Sequence, residues 1–160
     1  MAARIRGRPI ERPAAVLPAE TRTRGRPVSD QIAIDNEYVT LLYNPEAAVV
    51  HHAFHQLPRS ACFRETLTSG CELMRRNGGA KWLSDDRRIV ALTPDDSQWL
   101  VAVWYPMAVA AGWKHWAVVR SEKVVGRLNL RQWVERYTGF GLNVRVFDDP
   151  TQAMEWLVAQ

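Results

Sequence analysis

The sequence predicts an α/β domain in which a β-hairpin and three following strand–helix units form a mixed five-stranded sheet flanked by helices. Three observations support this fold class. Strand-like alternation recurs in short runs, amphipathic helical segments separate those runs, and Gly or Pro marks most of the junctions. The predicted order is β-β-α-β-α-β-α-β-α. Because a strand–helix–strand unit returns the chain in its original direction, the last strands should be parallel, with right-handed crossovers.

The predicted hairpin opens the domain. Residues 36–43 (NEYVTLLY) and 47–54 (AAVVHHAF) have the composition of strands, and the turn-forming segment Asn44-Pro45-Glu46 separates them. The hairpin is therefore expected to supply the first two strands of the sheet.

Three histidines near the end of the hairpin raise the question of a metal site. His51 and His52 point to opposite faces of a regular strand. His51 and His55 share a face but lie about 13 Å apart, at roughly 3.3 Å per residue. This separation is too long for joint ligation, so we predict no metal site here. We expect one of these histidines to pack inward and one to be exposed.

The first helix is predicted from Pro58 to about Arg76, and Asn77-Gly78-Gly79 should end it, because glycine suits a left-handed cap. Its apolar residues recur at helical spacing and form one face: Phe63, Leu67, Cys71 and Met74. The spacing of Cys62 and Cys71 turns them to opposite sides of this helix. They should stay unpaired, which is typical of a cytoplasmic protein.

The second helix has the strongest start signal. Thr93 can cap it, Pro94 suits its first position, and the next two Asp residues favour the positive end of the helix dipole. The apolar run Trp99–Trp113 follows. It is shorter than the roughly 20 residues that span a bilayer, and Pro106 should kink it. We therefore predict a buried helix and no membrane span.

The rest of the domain alternates strand and helix. Residues 80–84, 114–120 and 143–147 are predicted strands, whereas residues 121–137 and the segment from Pro150 onward are predicted helices. The helix over 121–137 has one apolar face, formed by Leu130, Trp133, Val134 and Tyr137.

The net positive charge lies at the start of the chain. Residues 1–30 hold seven Arg and three acidic residues, a balance of +4, whereas residues 31–160 hold 14 basic and 14 acidic side chains. The first 27 residues also include four Pro and no aromatic residue, a composition typical of disorder. We therefore predict a disordered tail over residues 1–30 and one α/β domain over residues 31–160.

Two copies of Arg-Gly-Arg-Pro in the tail suggest a DNA-binding alternative. They place Arg6 and Arg8, and again Arg24 and Arg26, in a motif similar to the core of AT-hooks, which insert Arg into narrow A·T-rich minor grooves. A short motif in an Arg- and Pro-rich segment also arises from composition alone. Nucleic acid is therefore expected to bind only through the tail, if it binds at all.

Five segments of the domain form a pattern found in a known family: Asp35–Val39, Lys81–Asp86, Leu92–Asp96, Ala111–Lys114 and Val146–Asp149. In these segments the chain resembles small bacterial proteins of the STAS/SEC14-like, or SpoIIAA-like, family. The likeness extends over residues 33–159. It implies a STAS-type fold, a mixed sheet flanked by helices.

The resemblance also implies a role in regulation or binding. Related STAS domains act as anti-sigma-factor antagonists, as regulatory parts of anion transporters or as ligand sensors. The antagonists carry a phosphorylatable Ser or Thr at the start of the helix that follows a central strand. Ser84 and Thr93 stand closest to that position, without the Asp-Ser-x-Gly-like context of the antagonists, and are the phosphosites that the resemblance implies.

The loop after residues 80–84 is the first candidate binding site. Open α/β sheets bind ligands beyond the carboxyl ends of their parallel strands. Ser84, Asp85, Asp86 and Arg87 lie there, with Thr93 at the next helix start. The alternative is a purely structural role, as loop caps and ordinary Asp–Arg ion pairs.

The Trp-rich second helix is the other candidate surface. It carries Trp99 and Trp104, and apolar residues surround nearly its whole circumference, although a helix on a sheet needs only one apolar stripe. The surplus should contact the core, a second copy in a homodimer, or a small apolar ligand.

These observations favour a non-catalytic regulatory or binding domain that engages a protein partner or a small ligand, without a cofactor. Two alternatives stay open. One is a DNA-associated protein that uses its Arg-Gly-Arg-Pro tail, and the other is a small enzyme with Asp85 or Asp86 as its base.

Overall fold

The computed structural model describes residues 29–160, which form one six-stranded mixed sheet covered by helices on both faces. The strands follow one another across the sheet in chain order. They are β1 (Gln31–Asp35), β2 (Val39–Asn44), β3 (Val49–Phe54), β4 (Lys81–Asp85), β5 (His115–Val119) and β6 (Asn143–Phe147). The first three strands are antiparallel, and β3 to β6 run parallel.

The helices divide into two layers. They are α1 (Ser60–Asn77), α2 (Pro94–Trp99), α3 (Tyr105–Ala110), α4 (Val124–Gly139) and α5 (Pro150–Val158). The connections that carry α1 to α4 form a large hydrophobic core with one face of the sheet. Helix α5 covers the other face over β4 to β6, where Ala153 and Leu157 are buried.

The α/β class is confirmed, but the predicted five-stranded sheet is wrong, because β1 adds a sixth strand that pairs with β2. Four of the five residues of β1 are exposed, and a bulge between Ile32 and Ile34 interrupts its alternation. The predicted strand over 36–43 also begins too early. Asn36 Oδ1 accepts the backbone N–H groups of Tyr38 and Val39, so these residues form a turn.

Several local predictions are confirmed. Gly78 ends α1 with a φ of 62°, the left-handed conformation that favours glycine. Thr93 caps α2, since its hydroxyl oxygen accepts the N–H of Asp96 at 3.1 Å, and Pro94 is the first residue of that helix. Cys62 and Cys71 are unpaired, and burial raises the pKa of the Cys71 thiol to about 12, so it is not a ready nucleophile.

Pro106 is accommodated by a π-helical turn over Leu100–Trp104, which joins α2 to α3. In this turn the N–H of Tyr105 bonds to the carbonyl of Leu100. This bond spans five residues, one more than in an α-helix. The hydrogen-bond pattern therefore changes just before Pro106, which has no N–H to donate. Trp104, at the end of the turn, is buried, and its indole N–H donates to the Leu67 carbonyl at 3.0 Å.

The predictions for the tail, including Arg6, Arg8, Arg24 and Arg26 as DNA contacts, fall almost entirely on residues 1–28, outside the described part of the chain. Across residues 29–160, no helix combines the length and the apolar character needed to cross a membrane.

Candidate functional site

A cavity of about 90 Å³ lies between the sheet, the loop that follows β4, and α4. Its apolar walls include Phe63, Leu67, Leu100, Trp104, Trp116 and Trp133. Its polar lining residues are His52, Ser84, Asp86, Ser121, Asn129 and Tyr137. The cavity therefore lies near the carboxyl ends of parallel strands, where open α/β sheets bind ligands.

Interlocked aromatic rings form much of the cavity wall. The ring centroid of Tyr137 lies 5.4 Å from that of Trp116, 5.7 Å from that of Trp133 and 6.4 Å from that of Trp104. Trp104 and Trp116 are buried, whereas Trp133 is half-buried. Contacts of this kind hold each ring in a defined orientation, so the wall is both apolar and rigid.

His52 connects the core to the cavity through both of its ring nitrogens. The Trp82 indole N–H donates to Nδ1 at 2.9 Å, and Nε2 lies 3.1 Å from Oδ1 of Asp86. An indole N–H can only donate, so Nδ1 is the acceptor, and Nε2 carries the proton that is donated to Asp86. His52 is therefore neutral in this arrangement, and neither nitrogen is available to a ligand.

Replacing His52 with Leu should lower the free energy of unfolding by about 2 kcal/mol, because the buried Trp82 N–H loses its acceptor. Urea denaturation measures this change. The matched control is His51→Leu, the same substitution on the opposite face of β3. Among residues 29–160, the buried Nε2 of His51 has no hydrogen-bond partner, so this variant should be at least as stable as the wild type at neutral pH. Equal losses in the two variants would contradict the role assigned to His52.

Ser84 and Tyr137, which both line the cavity, carry hydroxyl groups. Ser84 Oγ accepts the Trp116 indole N–H at 2.9 Å, so the Ser84 hydroxyl can still donate its own proton. The buried Tyr137 hydroxyl has no hydrogen-bond partner within residues 29–160, and burial raises its pKa, which keeps it protonated. A buried hydroxyl without a partner costs about 1–3 kcal/mol, which a ligand that bonds to it would offset.

The formal charge of the cavity lining comes from one acidic side chain, Asp86; among the described residues that line it, none is Lys or Arg. The two nearest arginines in sequence are engaged elsewhere. Arg87 donates to both carboxylate oxygens of Asp85, at 2.8 and 2.7 Å, and Arg88 donates to Glu122 at 3.0 Å. The charge of the cavity is therefore negative.

Residues 89–92 and α4 both contribute to the lining of the cavity. Asn129 Nδ2 on α4 donates to the carbonyl of exposed Val90 at 3.1 Å and so joins the two sides. A surface groove of about 350 Å³ adjoins this bond and shares Trp133 with the cavity. The groove and the cavity also share Ala91, Leu92 and Asn129, so the two adjoin at this side of α4.

The residues predicted to bind a ligand or partner divide between the cavity and other places. Ser84, Asp86 and Trp104 line the cavity. Asp85 and Arg87 do not line the cavity. Buried Asp85 forms an ion pair with the more exposed Arg87, which is the structural role that the sequence analysis gave as the alternative.

Thr93 and Trp99 also lie outside the cavity lining. Thr93 caps α2 and donates from its hydroxyl to Oδ2 of Asp96 at 2.9 Å. Trp99 is half-buried, and the guanidinium of Arg64 lies 5.4 Å from the centroid of its ring. As for modification, Ser84 is 5% exposed and Thr93 is exposed, and phosphorylation of either stays a prediction.

The sequence interpretation missed several residues that border the cavity: His52, Ser121, Asn129, Trp133 and Tyr137. Helical spacing places Trp133 and Tyr137 on the inner face of α4 but does not show that this face borders a cavity. One available signal was Gly126, a glycine inside a helix. A Cβ there would lie 2.3 Å from Ser121 Oγ and 2.7 Å from the Ile89 carbonyl, so glycine allows α4 to approach the loop closely.

The three histidines of the hairpin are separated by the fold. His52 is buried in the main core, His51 is half-buried on the opposite face of β3, and Nε2 of exposed His55 lies 2.9 Å from Thr40 Oγ1. In the part of the chain that the structure describes, no group of three or more His, Cys, Asp or Glu side chains is arranged to hold a metal ion.

Comparison of the chain with protein-family models, with curated proteins and with solved structures found no match. The chemistry of the cavity is therefore inferred from its own residues and their geometry.

Proposed function

We propose that this protein is a non-catalytic binding domain whose cavity takes a small, mainly apolar molecule with one hydrogen-bonding group. The observation that carries this proposal is the Tyr137 hydroxyl, which is buried and, among residues 29–160, has no partner, in a residue that lines an aromatic cavity. Ligand pockets characteristically combine an apolar lining with a few polar groups that orient the ligand. A guest with a hydroxyl or carbonyl oxygen would supply the missing bond once the Tyr137 hydroxyl, which is fully buried, turns toward it.

The size of the cavity limits the guest. Its volume of about 90 Å³ is smaller than the roughly 150 Å³ of an engineered apolar cavity that binds benzene. A guest with one ring must therefore extend into the groove beside Trp133 or displace α4 slightly. Larger ligands such as nucleotides do not fit without a rearrangement of this helix.

The hydrogen bonds around the cavity support binding over catalysis. A general base needs a free lone pair within reach of its substrate. Both ring nitrogens of His52 are bonded, and the Asp85 carboxylate is held by Arg87. Asp86 is the remaining candidate base, and we assign it to ligand binding because no hydrogen bond joins it to Ser84, Ser121 or Tyr137, the hydroxyl-bearing residues of the described lining.

We further propose that the bound molecule regulates a protein partner, as in the ligand-sensing members of the STAS/SpoIIAA-like family that the chain resembles. The outer face of α4 supports this extension. Val124, Val125 and Leu128 are 61%, 55% and 62% exposed there, on the same helix that closes the cavity with Trp133 and Tyr137. A protein bound to this face, either another protein or a second copy of the chain, would contact the helix that responds to the ligand.

Benzyl alcohol, with one ring and one hydroxyl, is a suitable first probe. In a titration followed by the indole N–H NMR signals, the signals of Trp104 and Trp116 should shift and saturate. The Leu130→Phe variant should bind at least tenfold more weakly, because Leu130 lines the cavity and the larger ring takes up its space.

The matched control for this titration is Leu128→Phe, the same substitution on the exposed side of α4, which should bind as the wild type does. The proposal fails if benzyl alcohol gives no saturable shift in the wild type, or if Leu130→Phe binds it with unchanged affinity.

A further inference from the structure

We infer that the cavity selects a ligand with a protonated amine, which pairs with Asp86, over neutral or anionic ligands of the same shape. This inference rests on the proposed binding function and specifies the chemical class of its ligand. It follows from the charge around the cavity, the hydrogen bonds of His52 and the aromatic lining.

Asp86 presents a carboxylate to the cavity without a cationic partner among residues 29–160. Its Oδ1 accepts a hydrogen bond from His52, but the Trp82 indole occupies the other nitrogen of that ring and keeps the imidazole neutral. Asp86 lines the cavity and its side chain is 24% exposed, so its carboxylate is not sealed off by the surrounding protein. An ammonium group at this position would gain a charge-assisted hydrogen bond.

The neighbouring arginines do not neutralise this carboxylate. Arg87 forms a two-bond ion pair with Asp85, and Arg88 pairs with Glu122 across the loop. A carboxylate or phosphate ligand would therefore meet Asp86 without a compensating positive side chain in the described lining. Like charges in a partly desolvated site repel, so anionic ligands are disfavoured.

The aromatic wall favours the same class of ligand. The faces of Trp and Tyr rings attract cations, most strongly where water is excluded. Trp104, Trp116 and Tyr137 line the cavity together, whereas the fourth ring of the lining, Trp133, already has the Arg136 guanidinium 5.4 Å from its centroid. The hydroxyl oxygens of Ser84 and Tyr137 can also accept hydrogen bonds from an ammonium group. An amine attached to an apolar body therefore matches the Asp86 carboxylate, these two hydroxyls and the apolar aromatic wall.

Three probes with the same ring separate charge from shape: benzylamine, benzyl alcohol and benzoate, titrated at neutral pH against the protein with calorimetric or NMR detection. We expect benzylamine to bind at least tenfold more tightly than benzyl alcohol, and benzoate to bind most weakly. The Asp86→Asn variant should bring benzylamine and benzyl alcohol to within about threefold of each other. The Asp95→Asn variant removes the same charge from an exposed residue outside the cavity lining and should keep the wild-type preference.

The outcomes distinguish this inference from the proposed function. If benzyl alcohol binds and benzylamine binds no more tightly, or if Asp86→Asn keeps the preference for the amine, the inference is overturned while the proposed function stands. If none of the three probes binds the wild-type protein, the proposed function fails and the inference fails with it. Far-ultraviolet circular dichroism and thermal denaturation of Asp86→Asn verify that the variant is folded.

Discussion

The Gly70→Ala variant should lose about 3 kcal/mol of its free energy of unfolding, although alanine is the better helix former. A Cβ on Gly70 would lie 2.3 Å from Cη2 and 2.7 Å from Cζ2 of the Trp82 indole. Trp82 is fully buried, it donates to His52, and its ring packs against Trp104 and Trp113. Because the indole has little room to move, the clash should outweigh the gain of about 1 kcal/mol in helix propensity.

Urea denaturation of Gly70→Ala beside Gly139→Ala tests this expectation. Gly139 ends α4, and a Cβ there would meet no atom of the described structure within 4 Å. The same substitution at Gly139 should therefore leave the stability unchanged or raise it slightly. A Gly70→Ala variant as stable as Gly139→Ala would show that Trp82 is not held as tightly as its contacts indicate.

Acidification should destabilise the protein through His51. Burial lowers the pKa of His51 to about 4, against the smaller opposing effect of the Asp85 and Asp30 carboxylates. Between about pH 6.5 and 4 the unfolded chain therefore binds a proton that the folded protein does not, so stability falls as the pH falls. A shift of this size corresponds to about 3 kcal/mol, which is fully present above pH 6.5 and lost by about pH 4.

The His51→Leu variant isolates this contribution, because carboxylates that titrate in the same range are common to both proteins. Leu should be accepted at this position, since the cross-strand neighbours of His51 are Leu42 and Leu83. Measured from pH 7 to pH 4, the free energy of unfolding of the variant should fall by about 3 kcal/mol less than that of the wild type. Parallel pH profiles for the two proteins would refute the assignment.

Local signals in the sequence were reliable where the structure depends on a few neighbouring residues. The cap at Gly78 and the start of α2 at Thr93-Pro94 each involve one turn of chain, and both are confirmed. The inner face of α1 is also confirmed, because Phe63, Leu67, Cys71 and Met74 are all buried. Helical periodicity predicts such a face from the spacing of apolar residues alone.

The prediction failed where an element depends on a distant partner. Strand β1 is mostly exposed and bulged, so its own residues carry little periodicity, and its hydrogen bonds to β2 define it. Of the strand-end loop, Ser84 and Asp86 line the cavity and Asp85 does not, a difference that the sequence reasoning did not predict; ligand binding by Ser84 and Asp86 stays a prediction. Adjacent residues of a strand point to opposite faces of the sheet. Which of them reaches the cavity depends on the face that the cavity-forming helices cover.

The sequence by itself determined the α/β class, the alternation of strands and helices after β1, the cap of α1 at Gly78 and the start of α2 at Thr93, because those features arise from contacts a few residues apart. Only the tertiary structure decided that His52, Asp86, Trp104, Trp116 and Tyr137 surround one cavity. These residues come from different strands, helices and loops. Their meeting depends on the parallel register of β3 to β5 and on the approach of α4 to the loop at Gly126, and packing between distant segments sets both.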